Sequence, residues 1–179
     1  MINKKQSLIL LSTAAIAAVL FNSCGSVKSN VNAVKPFNKE KYLGDWYEIA
    51  RLDFKWEKNM SQVTAKYTSN EDGSIRVENK GFNYVKDEWK TSVGKAKFNG
   101  AMDQGALKVS FFGPFYSGYN VVKIDKDYKY ALVFGENLKY LWILSREKTI
   151  PTKVKEEYLA YAEASGYQTS NLVWTKQTK

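Results

Sequence analysis

Apolar and polar side chains alternate in short runs along most of this chain. Val63, Ala65 and Tyr67 are separated by Thr64 and Lys66, and Ile75 and Val77 by Arg76. Gly94, Ala96 and Phe98 alternate with Lys95 and Lys97, and Leu107, Val109 and Phe111 with Lys108 and Ser110. Val122 and Ile124 alternate with Val121 and Lys123. A period of two gives each run one face for an interior and one for water. Turn residues such as Asn70-Glu71-Asp72-Gly73 and Asn99-Gly100 punctuate the runs at regular spacing, the pattern of an all-β sandwich or barrel. Tyr130–Phe134 and Tyr140–Ser145 are apolar on both faces, so their outer side needs a cover. The candidate is a helix from Thr152 to Ser165, punctuated by Pro151 and Gly166. Val154, Tyr158, Tyr161 and Ala162 share one of its faces, while Lys153, Lys155, Glu156 and Glu163 lie largely off it. Leu172-Val173-Trp174 reads as a short final strand.

The N-terminal residues follow another pattern. Lys4 and Lys5 precede an apolar run from Leu8 to Phe21, interrupted by Ser12 and Thr13 and too short to span a bilayer comfortably. It ends on Asn22-Ser23-Cys24-Gly25, which resembles a lipoprotein processing site, with Phe21 and Asn22 where the usual motif has Leu and a small residue. The chain therefore divides into a signal peptide (1–23), a polar tether (24–36) and one folded domain (37–179). The resemblance implies a thioether-linked diacylglyceryl group and an amide-linked acyl chain on Cys24. Ordinary cleavage leaving a free thiol is the alternative. Stable anchoring needs more than one acyl chain, and such a Cys24 meets that need. A tether of about a dozen residues reaches roughly 20 Å. Gly25 after the cysteine fits sorting to the outer membrane of a bacterial envelope, with the periplasmic face expected.

Composition narrows the chemistry. Among 179 residues there is no histidine, which removes the commonest general base and metal ligand. Cys24 is the single cysteine, so no internal disulfide or cysteine-based zinc cluster can form. Without Lys4 and Lys5 the balance is 25 basic against 18 acidic residues, or +7. The lysines stand singly between apolar residues and read as the wet faces of strands, not as a nucleic-acid site.

Two motifs are more specific. Gly44-Asp45-Trp46 opens the first strand, and Tyr140-Leu141-Trp142-Ile143-Leu144-Ser145-Arg146 closes a late one. Together they resemble the signature of the lipocalins, and the likeness runs from residue 37 onward, nearest in pattern to the bacterial outer-membrane lipoprotein members. The resemblance implies an eight-stranded up-and-down antiparallel β-barrel with one C-terminal helix packed outside. It places Trp46 inside the closed end with Arg146 across its ring, a cation–π contact and a plug against water. Asp125 and Tyr128 resemble the family's middle motif, with Ile124 where Thr is usual. Gly44, Trp46, Asp125, Tyr128 and Arg146 are thus expected to be structural.

If Trp46 and Arg146 point inward, parity adds Trp142 and Leu144, with Tyr140 nearer the mouth. The inward sets of other strands supply Val63, Ala65, Tyr67, Ile75, Val77, Phe98, Val109, Phe111 and Val122, and small residues at Gly94 and Ala96 leave room. The expected ligand-binding residues are Trp142, Tyr140, Leu144, Tyr67, Val77, Ala96, Phe98, Phe111 and Glu48. Glu48 shares the parity of Trp46 and either bonds a ligand's polar head or satisfies the backbone. Asn79 and Asn83 are further polar candidates. Such a lining suits an acyl chain, so the expected partners are a fatty acid or lysophospholipid and a membrane, with no cofactor. The aromatic turn Phe111–Tyr119 suits a sticky rim, which leaves a homodimer open, or a packed hairpin. Two other roles compete with the carrier. A filled barrel would serve a structural or interaction role in the envelope. An enzyme would have to work without Ser–His or Cys–His pairs, and its nearest acidic pair, Asp45 and Glu48, lies on opposite faces of a strand.

Overall fold

The alternating runs become strands. The computed structural model describes residues 32–178, so the signal segment, Cys24 and most of the tether lie outside the described residues. A short helix α1 (Lys39–Tyr42) leads into β1 (Gly44–Leu52), β2 (Met60–Ser69), β3 (Ile75–Asn83), β4 (Glu88–Phe98), β5 (Ala106–Phe112), β6 (Phe115–Ile124), β7 (Tyr130–Gly135) and β8 (Leu141–Ser145). Each strand pairs antiparallel with the next, and β1 pairs with both β2 and β8, which closes an eight-stranded barrel. Closure removes the long unpaired edges of an open sheet.

Two apolar cores result. The inner one gathers Trp46, Ala65, Tyr67, Ile75, Val77, Ala96, Leu107 and Leu144. The outer one lies between the wall and α2 (Thr152–Ala164), where Leu132, Phe134, Leu141 and Ile143 meet Tyr158 and Ala162. This is the cover that the doubly apolar strands β7 and β8 require. The helix stops in a Schellman arrangement, with Gly166 at φ +92° and the Tyr167 and Gly166 amides donating to the Ala162 and Glu163 carbonyls.

Beyond a single 3-10 turn (Thr169–Asn171), β9 (Leu172–Trp174) pairs with the second half of β1, where β2 has diverged. The following residues stitch that seam. The Gln62 amide donates to the Lys176 carbonyl, and the Gln177 side chain donates to the carbonyls of Glu48 and Val63 at 2.7 and 2.8 Å.

Three differences from the sequence expectation matter. Val122 faces the outer core, not the interior, because the β6–β7 register shifts between Val121 and Lys123. One inserted residue turns the side chains beyond it to the other face, so Val121 and Ile124 point inward. The end of the expected tether is also not free: Ala33 is buried, and Val34 exchanges backbone hydrogen bonds with Val121 and Gly105. Helix α1, absent from the sequence reading, is capped by the Asn38 side chain and plugs the closed end with Tyr42.

Candidate functional site

At the closed end the Arg146 guanidinium carbon lies 3.8 Å from the Trp46 ring centroid. Arg146 donates to the carbonyls of Lys41, Leu43 and Asp45 at 2.8, 2.8 and 2.6 Å, and at 3.2 Å to those of Tyr42 and Tyr128. Trp46 donates its indole N–H to the Tyr42 carbonyl at 2.8 Å. Gly44 has φ +94°, a left-handed conformation that favours glycine beside the Arg146 guanidinium. The Asp125 carboxylate accepts from the amides of Asp127, Lys129 and Tyr130, which holds Tyr128 in a left-handed turn beside the plug. The five motif residues thus form one interlocked base.

Above this base lies a cavity of about 90 Å³. Of the expected ligand residues, Glu48, Tyr67, Val77, Ala96, Phe111, Trp142 and Leu144 line it, and so does Asn79. Two do not. Phe98 packs edge-on against Phe37 near the closed end, because its strand reaches the floor there. Tyr140 precedes β8 and stacks behind Trp142, with ring planes 13° apart. Gly94 does not leave room either, since the Phe111 ring already fills it: a Cβ on Gly94 would come within 2.8 Å of Cδ1. Asn83 turns away and accepts from the Val85 and Lys86 amides in its hairpin.

Beyond Glu48, Tyr67 and Asn79, the sequence reading missed the polar part of the site. Near the floor, Tyr119 bonds through its hydroxyl to Tyr42 at 2.6 Å and to Tyr67 at 2.8 Å. Burial pushes the Tyr67 hydroxyl up to about 12 and the other two well above their usual value, so all three stay neutral.

Near the mouth, the β1–β2 loop (residues 53–59) folds back over the opening. Phe54 meets Tyr140 and Trp142 edge-on, and the Glu57 carboxylate accepts from the Trp142 indole at 3.1 Å. Arg51, 1% exposed, holds the loop from beneath. It donates to Glu48 at 2.7 Å and to the Glu57 carbonyl at 2.7 Å. Thr175 donates to Glu48 at 2.5 Å, which ties the seam to the same cluster. Arg51 reaches the mouth because the β1–β8 register shifts between Glu48 and Ala50, turning Ala50 outward and Arg51 inward. Burial opposes the Arg51 charge, but Glu48, Glu57 and Asp53 outweigh it and raise its pKa.

Glu57 is the unusual titrating group. Burial first, then the neighbouring Glu48 carboxylate, pushes it up to about 8, against the Trp142 N–H and Arg51. Unfolded, a glutamate ionises near ~4.3. The folded state therefore binds more protons between those values, and Glu57's contribution to stability, fully present below the unfolded pKa, is lost as pH rises to about 8. Urea unfolding from pH 5 to 9 is expected to show this decline in the parent and a flatter profile in Glu57→Gln. Equal slopes in both proteins would mean that Glu57 ionises normally.

The match to a family model described as a lipocalin-like domain covers residues 37–177. Outer membrane lipoprotein Blc of Escherichia coli K12 is 48% identical over 172 residues, spanning 95% of this chain and 97% of its own. The Vibrio cholerae protein of the same name is 42% identical, covering 90% of this chain and 95% of its own. Temperature-induced lipocalin-1 of Arabidopsis thaliana is 34% identical, covering 84% and 85%. Among solved structures, insecticyanin of the tobacco hornworm Manduca sexta superposes with a TM-score of 0.65 at 20% identity, covering 84% of this chain and 86% of its own.

Proposed function

This chain belongs to the lipocalin family, and from that premise we propose that it is a membrane-tethered carrier holding the acyl chain of a fatty acid or lysophospholipid in its barrel. One observation carries the reading. The interior keeps an apolar-lined void above a base sealed by Trp46 and Arg146, instead of filling with side chains. Burying an acyl chain there is driven by about 25 cal/mol per Å² of apolar surface removed from water. The neutral tyrosine hydroxyls and the proton held by Glu57 spare the guest an unpaired charge.

Like its relatives named as outer membrane lipoproteins, it has its place at the outer membrane of a bacterial envelope. Cys24 carries the acyl anchor there, with the domain on the periplasmic face. The work is binding and delivery, with no covalent chemistry.

The void of about 90 Å³ is below the ~300–1,000 Å³ of sites that enclose a whole ligand. Uptake of a long chain therefore requires Phe54 and Glu57 to lift from the mouth. Calorimetric titration with palmitate and with a C16 lysophospholipid tests the reading. Saturable binding is expected, weakened at least about tenfold in Ala96→Phe, a loss of ~1.4 kcal/mol. Ala96 is buried against the void, and a phenyl ring would occupy it. No binding of either lipid would leave a filled, structural barrel as the better account.

A further inference from the structure

We propose that the open end of the barrel is a membrane-docking rim, which seats the mouth on a bilayer containing anionic phospholipid so that a single-chain lipid passes directly from the leaflet into the cavity. The hairpins β1–β2, β3–β4 and β5–β6 all turn at this end, opposite the Trp46–Arg146 base. Among the described residues, ten large apolar side chains are exposed, and six of them lie here: Trp56, Tyr84, Val85, Trp89, Phe112 and Phe115. Phe115 is 79% exposed and Trp56 67%. At the closed end, the β2–β3, β4–β5 and β6–β7 turns expose only Met102 of this set.

Contacts link the three hairpins. Trp56 packs on Phe112 with ring centroids 5.5 Å apart, and the Tyr84 amide donates to the Asn59 carbonyl, joining the loops across the mouth. Tryptophan and tyrosine are the side chains that favour the boundary between lipid and water, and an apolar patch of this extent marks a contact surface.

Two features select a lipid surface as the occupant. The first is continuity with the cavity: Phe111 lines the void and Phe112 the rim, and Glu57 lines the void beside Trp56 on the rim. On the β5–β6 side a guest leaving the rim meets the Phe111 ring first, while the Glu57 and Arg51–Glu48 groups stand on the β1 side of the mouth. The second is charge. The two tips 53–59 and 84–90 carry Lys55, Lys58, Lys86 and Lys90 against Asp53, Glu57, Asp87 and Glu88, and the two acids of the first tip, Asp53 and Glu57, are turned to Arg51. Lys55 and Lys80 lie 5.0 and 4.8 Å from the ring centroids of Trp56 and Trp89, positions from which their ammonium groups can reach phosphates above seated rings. A second copy docked here would cover the mouth. The proposal takes its purpose from the carrier reading, but its geometry stands alone.

The test uses the mature, anchored protein reconstituted in vesicles of phosphatidylethanolamine and phosphatidylglycerol with brominated acyl chains. Bromine quenching of tryptophan emission is expected to fall clearly in Trp56→Phe and to stay unchanged in Trp174→Phe, whose indole lies on the barrel side. Phe112→Ser with Phe115→Ser is expected to slow extraction of a lysophospholipid from the vesicles about tenfold. The same pair should leave calorimetric affinity for the monomeric lysophospholipid unchanged. Equal quenching in the two tryptophan variants would overturn the proposal, as would an unaltered extraction rate. A dimer that the Phe112 and Phe115 changes convert to monomer in sedimentation would assign the rim to a second copy instead. If monomeric ligand fails to bind the parent protein, the carrier reading falls, and the quenching pattern still decides the rim.

Discussion

Arg51→Met is expected to destabilise the fold by about 3–5 kcal/mol, the range seen when one partner of a buried ion pair is removed. Methionine fills much of the same volume but donates no hydrogen bond. Glu48, 3% exposed, would then keep a buried charge with its guanidinium partner gone, and the Glu57 carbonyl would be left with the Met60 amide as its donor. Because that carbonyl anchors the loop over the mouth, the change should also free Phe54 from Tyr140 and Trp142. Urea unfolding gives the first effect, and the near-ultraviolet signal of Trp142 the second. Arg51→Met combined with Glu48→Gln should recover part of the loss, since the stranded charge is gone; a double variant no better than the single would show that packing, and not charge, dominates. A loss below ~1 kcal/mol in the single variant would contradict a structural role for this cluster.

Arg146→Met is the second large effect, about 3 kcal/mol. One guanidinium serves five backbone carbonyls and the Trp46 ring. A typical hydrogen bond contributes roughly 0.5–1.5 kcal/mol net, and a cation–π contact about 0.5–2. These do not sum fully, because Arg146 is only partly buried and water can replace some of its bonds. For a domain of this size the expected fall in melting temperature is roughly 6–12 °C. Trp46 emission should shift to the red as water reaches the base. An unchanged melting temperature would mean that α1 alone seals the barrel.

The two arginines divide the question of legibility between them. Arg146 was readable in advance because its role is local: a fixed partner at the end of a strand, announced by Gly44 and Trp46. The strands, the outer helix and most of the void's lining were readable for a similar reason, since alternation reports which face is buried wherever a strand runs without interruption. Arg51 was not readable, although it stands in the same strand as Trp46. Simple parity from Trp46 and Glu48 points it outward, and the register shift before Ala50 points it inward. Val122 was misplaced by the corresponding shift in β6.

Nothing in the alternation announces the fold-back of residues 53–59 that brings Phe54 and Glu57 over the mouth, nor the meeting of Tyr42, Tyr67 and Tyr119 from three separate elements. The amino-acid order by itself determined an all-β barrel with an outer helix, an apolar interior and a base closed by indole and guanidinium, because hydrophobic period and turn chemistry are properties of neighbouring residues. Only the tertiary structure decided where the polar groups face. An inserted residue reverses parity, and a loop's path depends on what it can bury, and both are settled by contacts between segments far apart in the chain.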